Sequence, residues 1–131
     1  MRTRTTAAAI ATLLATVLVG CSADSKDEAA VAKKDVPAYS VIKDEPRSAE
    51  LLVANATTDS ATAAIEDWIA KNVGDRQVLG VQVVRTKTAG TIVCRAEYYA
   101  DEATAQVQTG GRITADEWPH TAITCPDPAG S

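Results

Sequence analysis

The chain has 131 residues, with 13 basic and 17 acidic side chains and a formal net charge of −4. That length holds one domain and a short extension, and the acidic balance argues against nucleic acid as an electrostatic partner. With no Phe, two Trp and three Tyr, the core must be built from Ala, Val, Leu and Ile, and a small aliphatic core gains from a disulfide.

The amino terminus opens on Met1-Arg2-Thr3-Arg4 and continues from Ala7 to Val19 without a charged residue. This apolar run is shorter than the roughly 20 residues of a membrane-spanning helix. A basic start, a short apolar middle and a small-residue end read as a secretory signal. Thr3 separates the two arginines, so the twin-arginine pattern is absent and general secretion is expected. Leu18-Val19-Gly20-Cys21 resembles the lipobox of bacterial lipoproteins. The resemblance covers residues 1–21 and implies that Cys21 takes a diacylglyceryl group and becomes the first residue of the mature chain. It places the protein on a cell membrane, lipid-anchored at the extracytoplasmic face, with the bilayer as its first partner. The alternative is an ordinary secreted protein cut near Gly20. Each buried methylene contributes about 0.8 kcal/mol, so stable anchoring takes two or more acyl chains. Loss of Arg2 and Arg4 takes the basic count from 13 to 11 against 17 acids, a net −6.

Residues 21–36 read as a flexible tether. The run SADSKDEAAVAKKDV has small residues, mixed charge and two valines, too little apolar surface to offset the entropy of ordering. An α+β domain is expected over residues 37–125. Residues 39–44 are rich in strand formers, Glu45-Pro46-Arg47-Ser48 is a turn, and residues 49–55 form a second strand with Leu51 and Val53 on one face. Thr57-Thr58-Asp59-Ser60 supplies capping types, with Asp59 or Ser60 as the cap and no clean capping box. Ala61, Ile65, Trp68, Ile69 and Val73 recur at helical spacing over about residues 60–73, and Gly74 closes the helix in a left-handed conformation. Trp68 on this stripe reads as core.

A third strand is expected over residues 77–86, where Gly80 marks a bulge or close packing against the helix. A turn at Thr88-Ala89-Gly90 leads to a fourth strand over 91–99. There Ile92, Cys94, Ala96 and Tyr98 face the core, and Val93, Arg95, Glu97 and Tyr99 face away. Residues 101–108 read as a short helix or an irregular run, broken at Thr109-Gly110-Gly111. A short strand at 112–114, a polar loop at 116–120, an edge segment at 121–125 and a disordered tail at 126–131 complete the chain. The predicted fold is a small antiparallel sheet of about four or five strands with one helix on one face, in β-β-α-β-β order. It is similar to small α+β domains on bacterial lipoproteins of unknown function, through YSVIKDE, AELLVAN, the helix and TIVCRAEYY, and no functional residue carries over.

With Cys21 assigned to lipid, Cys94 and Cys125 remain, and outside the cytoplasm they are expected to pair. The loop they close is about thirty residues, for which the chain-entropy estimate is roughly 3 to 4 kcal/mol. A redox pair is the alternative, without a CxxC to support it. His120 is the single histidine, with Asp116 and Glu117 beside it and no HExxH-type spacing, so no metal or other cofactor is expected. The pairs Asp44-Glu45, Glu66-Asp67, Asp101-Glu102 and Asp116-Glu117 read as solvated charge. No GxSxG, P-loop or EF-hand loop occurs. The expected function is a non-enzymatic binding module for an envelope protein or polymer, with Val93, Arg95, Glu97 and Tyr99 as its surface. The alternatives are an inhibitor inserting the 116–120 loop into a secreted enzyme, and a small envelope hydrolase using converging carboxylates and His120.

Overall fold

A computed structural model describes residues 35–88 and 90–127. The predicted signal segment, Cys21 and stalk residues 22–34 lie outside them. β1 (Ser40–Glu45) and β2 (Ser48–Leu52) form the expected hairpin around Pro46 and Arg47 and pair antiparallel. The helix α1 (Thr58–Asn72) follows. Its cap is Thr57, two residues before Asp59 and three before Ser60, the expected caps, and a capping box is present. Thr57 Oγ1 accepts from the Ser60 N–H at 3.2 Å, and Ser60 Oγ accepts from the Thr57 N–H at 2.8 Å. The box is easily overlooked because Ser, rather than Glu or Gln, answers the cap. Gly74 ends the helix at φ +53°, a conformation that costs other residues a Cβ clash.

β3 (Val78–Val84) and β4 (Ile92–Tyr99) form a second antiparallel hairpin. A second helix, α2 (Glu102–Thr109), and β5 (His120–Thr124) complete the order β1-β2-α1-β3-β4-α2-β5. The five strands lie in sequence order across one sheet. Two features correct the predicted single-helix antiparallel fold. First, β2 and β3 are parallel, so the sheet is mixed. A 15-residue helix spans about 22 Å and returns the chain to the end where β2 began, so β3 runs alongside β2 in the same direction. Second, residues 102–109 are helical. Asp101 caps them, its Oδ1 accepting from the Thr104 N–H at 2.7 Å, and Gly110 at φ +63° closes them. No strand forms at 112–114, which is irregular.

α1 covers one face of the sheet. On that face the cross-strand rows are Ala49, Val81, Ala96 and Ile123; Leu51, Val83 and Cys94; and Leu79, Tyr98 and Thr121. Ala61, Ala64, Ile65, Trp68 and Ile69 of α1 join them in one buried cluster. Trp68 is core, at 1% exposure, and the Arg76 guanidinium lies 5.6 Å from its ring centroid. The Cys94–Cys125 disulfide is present, joining cross-strand neighbours at the end of the β4–β5 ladder.

Tyr39 fastens the incoming chain to α1. Its Oη donates to Asp67 Oδ2 at 2.8 Å, and Lys71 Nζ donates to the same oxygen at 2.8 Å. Burial, then the bond and charge of Asp67, push the Tyr39 hydroxyl up to about 12. Lys71 first, and Tyr39 second, hold the Asp67 carboxyl below its ordinary 3.8. The raised tyrosine contributes stability that is complete below its ordinary 10.0 and is lost as pH climbs towards 12. The lowered aspartate contributes above 3.8 and is lost as pH falls through its folded value. Tyr39→Phe is therefore expected to remove this group's share of the alkaline decline in urea midpoint. It should only partly shrink the acid limb, because Lys71 remains. An unchanged alkaline limb in the variant would refute the assignment.

Candidate functional site

The strand period of two that sends Leu51, Val81 and Ala96 to the helix sends their neighbours to the opposite face. Register lines these neighbours up. One row crosses all five strands as Lys43, Glu50, Gln82, Arg95 and Thr124, and the next runs Glu45, Ser48, Gly80, Glu97 and Ala122. Both rows are polar apart from Gly80 and Ala122. At the far end of β4 the same face is closed. Tyr99 there is 4% exposed, next to α2, whose Ala105 and Thr109 are buried. Arg47 Nη2 donates to Gln108 Oε1 at 3.3 Å, linking the first hairpin to α2. Among the described residues nothing covers the middle of the face, where Arg95 and Glu97 are exposed.

Two adjoining hollows occupy that opening and share Arg95 and Glu97. The first, of about 320 Å³, has Lys43, Ser48, Glu50 and Gln82 as its polar wall and Gly80 in its floor. The expected roles for Gly80 do not hold. The β3–β4 irregularity falls at Val83 and Val84, and a Cβ on Gly80 would meet only Arg47 O at 3.8 Å. Its contribution is to leave the floor low. The second hollow, of about 310 Å³, lies between β4, β5 and the loop after α2, with Arg112 and Ile113 on its rim.

Charge on this face is partly paired. Gln82 Nε2 donates to Glu50 Oε2 at 2.7 Å, and Lys43 pairs with Glu45 at 3.2 Å. Tyr99 Oη donates to Glu97 Oε2 at 3.4 Å. Burial, then the Glu97 charge, raise the Tyr99 hydroxyl above its ordinary 10.0. Arg112 Nε donates to Thr109 O at 3.0 Å, and its two terminal nitrogens form no hydrogen bond or ion pair among the described residues. Arg95 forms no hydrogen bond or ion pair among the described residues. An exposed guanidinium between two hollows is suited to a carboxylate or phosphate, which it can bind through two parallel bonds.

Of the predicted surface, Arg95 and Glu97 are brought together in the open. Val93 and Tyr99 are not part of it. Val93 is the extra residue where the β3–β4 register skips; the bulge turns it into the core, at 0% exposure. Tyr99 lies under the α2 end of the face. Lys43, Glu50, Gln82 and Arg112 were not predicted. The alternation of Glu50 and Gln82 with buried neighbours was readable, but their alignment with Arg95 depends on the parallel β2–β3 register.

The other candidate chemistry does not converge. His120 is half-buried, with its ring 5.8 Å from that of Trp118, and among the described residues no group of three or more His, Cys, Asp or Glu is placed to hold a metal ion. Several acids serve the fold: Asp44 pairs with Arg76 at 2.9 Å, Asp67 holds Tyr39 and Lys71, and Asp101 caps α2. Asp127, in the predicted tail, pairs with Arg85. Comparison with protein-family models, curated proteins and solved structures gives no match, so the function rests on the geometry of these residues.

Proposed function

We propose that this chain is a lipid-anchored module at the extracytoplasmic face of a membrane, and that it binds an envelope protein or polymer through the open face of its sheet without catalysing a reaction. The observation that carries the binding reading is the uncovered polar face centred on Arg95, whose guanidinium has no partner among the described residues. Around it, Glu50, Gln82 and Glu97 already hold fixed hydrogen bonds, so a partner meets preset donors and acceptors and little side-chain entropy is lost on docking. Anchoring is supported by the lipobox-like residues 18–21, and the stalk-like composition of residues 22–36 would give the domain reach from the bilayer.

The test uses the whole chain in growing cells. A palmitate analogue is expected to label the parent and not Cys21→Ser; an unlabelled parent removes the anchor. A photo-crosslinking side chain in place of Gln82 is expected to give a discrete adduct. The same group in place of Val107, which is 81% exposed on α2, should not. Arg95→Glu should cut the Gln82 adduct by about tenfold or more, the usual loss when a central interface arginine is reversed. Equal adducts from the two positions, or indifference to Arg95→Glu, would sink the face as a binding surface.

A further inference from the structure

β5 is the last strand of the sheet, and its outer edge has no partner strand among the described residues. The Ala100 N–H donates to Gln77 O, so along β4 the backbone groups of Cys94, Ala96 and Tyr98 turn towards β3. Those of Arg95, Glu97 and Tyr99 turn towards β5. Their partners Thr124, Ala122 and His120 turn inward in response, and Thr121 and Ile123 direct an N–H and a C=O each outward. Those four groups have no hydrogen-bond partner among the described residues. Proteins commonly protect such edges with charge or bulges. β1, the opposite edge, carries Lys43, Asp44, Glu45 and a register irregularity. β5 reads HTAIT and has no Lys, Arg, Asp or Glu.

Each side of this edge has a recess. On the α1 side a mainly apolar groove of about 280 Å³ is walled by Ile69, Ala70, Val73, Tyr98, Pro119 and Thr121, with Glu66 as its one charged wall residue. On the open side lies the hollow with Arg95 and Arg112. A strand laid against β5 would send alternate side chains into the two recesses. We propose that β5 receives an extended peptide segment of a partner protein as a sixth strand, with apolar and acidic side chains alternating. The acidic preference follows from two guanidinium groups facing one carboxylate, Glu97, which already accepts from Tyr99. A second copy of this chain is the poorer occupant: β5 paired with β5 brings two Arg95–Arg112 sets to one junction, each with its own Glu97 already engaged by Tyr99, and the incoming HTAIT strand adds no acid. Pro119, which continues the outward set at 121 and 123, offers no donor, and β5 itself ends at Thr124, so the added strand is limited to about five residues. This inference rests on the reading of the domain as a binding module and is independent of the lipid anchor.

The probe is a capped Val-Glu-Val-Glu-Val peptide added to the isotope-labelled full chain, with amide exchange read by NMR. At saturation the Thr121 and Ile123 amides are expected to slow by about tenfold or more, as newly bonded edge amides do. Val-Lys-Val-Lys-Val should bind more weakly, and Arg95→Glu should reverse that order. N-methylation of one alternate set of peptide amides should abolish binding while methylation of the other set does not, a control that needs no change in the protein. Unprotected Thr121 and Ile123 amides overturn strand addition. Shifts confined to Glu50 and Gln82 overturn it while leaving the open-face reading in place. Protection of the same two amides in the peptide-free chain, growing with protein concentration, overturns it in favour of a second copy.

Discussion

Trp68→Ala is expected to lower the unfolding free energy of the domain by about 3–5 kcal/mol, measured by urea or guanidinium denaturation. Trp68 is 1% exposed, and the other largest fully buried side chains are Leu, Ile, Val and Cys. None can reach across to fill the volume of an indole, so the loss combines transfer free energy with a cavity. α1 presents mainly Ala and Ile beside it, so this one aromatic ring holds the helix to the sheet. A domain of this size has roughly 5–15 kcal/mol in total, and the variant will be partly unfolded at physiological temperature. Ile65→Val, also in the cluster and 0% exposed, gives a graded companion at about 0.5–1.5 kcal/mol. Trp118, half-buried in the loop before β5, is the internal control, and its replacement should cost clearly less. A loss below about 1 kcal/mol for Trp68→Ala, outside the usual range for buried aromatics, would show that α1 is held by something else.

Removing the disulfide with Cys94→Ala and Cys125→Ala together is expected to cost about 3–4 kcal/mol from the loop of sequence separation 31. The loss should also be directional. β5 is joined to the rest of the sheet by its ladder to β4 alone, and the disulfide closes the end of that ladder. The amides of Arg95, Glu97 and Tyr99, which donate towards β5, should lose exchange protection by local opening. Those of Cys94, Ala96 and Tyr98, which donate towards β3, should fall only with global stability. Uniform loss across both sets of β4 amides would mean that β5 does not open as a unit.

The strands and α1 were legible because each leaves a local signal, whereas the Cys94–Cys125 pair was reached by setting Cys21 aside. Leu51 and Val53 alternate with exposed or half-buried neighbours, Ala61, Ile65, Trp68 and Ile69 recur at the helical period, and Gly74 stands where a left-handed residue is needed. α2 was only half legible. Its terminator, Gly110, was in view, but its cap, Asp101, read as solvated charge, its inward positions are Ala105 and Thr109 and Val107 points to solvent. Such a face carries almost no apolar periodicity. Val93 misled for a related reason: a bulge breaks the period of two, and nothing in TIVCRAEYY marks where the extra residue falls.

Which segments bury themselves is written in short stretches of the chain, because hydrophobic period, capping and turn chemistry act over a few neighbouring residues. The candidate site was decided only in the tertiary structure. Lys43, Glu50, Gln82 and Arg95 come from four strands, and they form one row only because the α1 crossover sets β2 and β3 parallel in a particular register. A one-residue slip of that register would send Glu50 or Gln82 into the core. Long-range packing that keeps Leu51, Val81 and Ala96 under α1 therefore also places Arg95 in the open, and no local stretch of the chain carries that information.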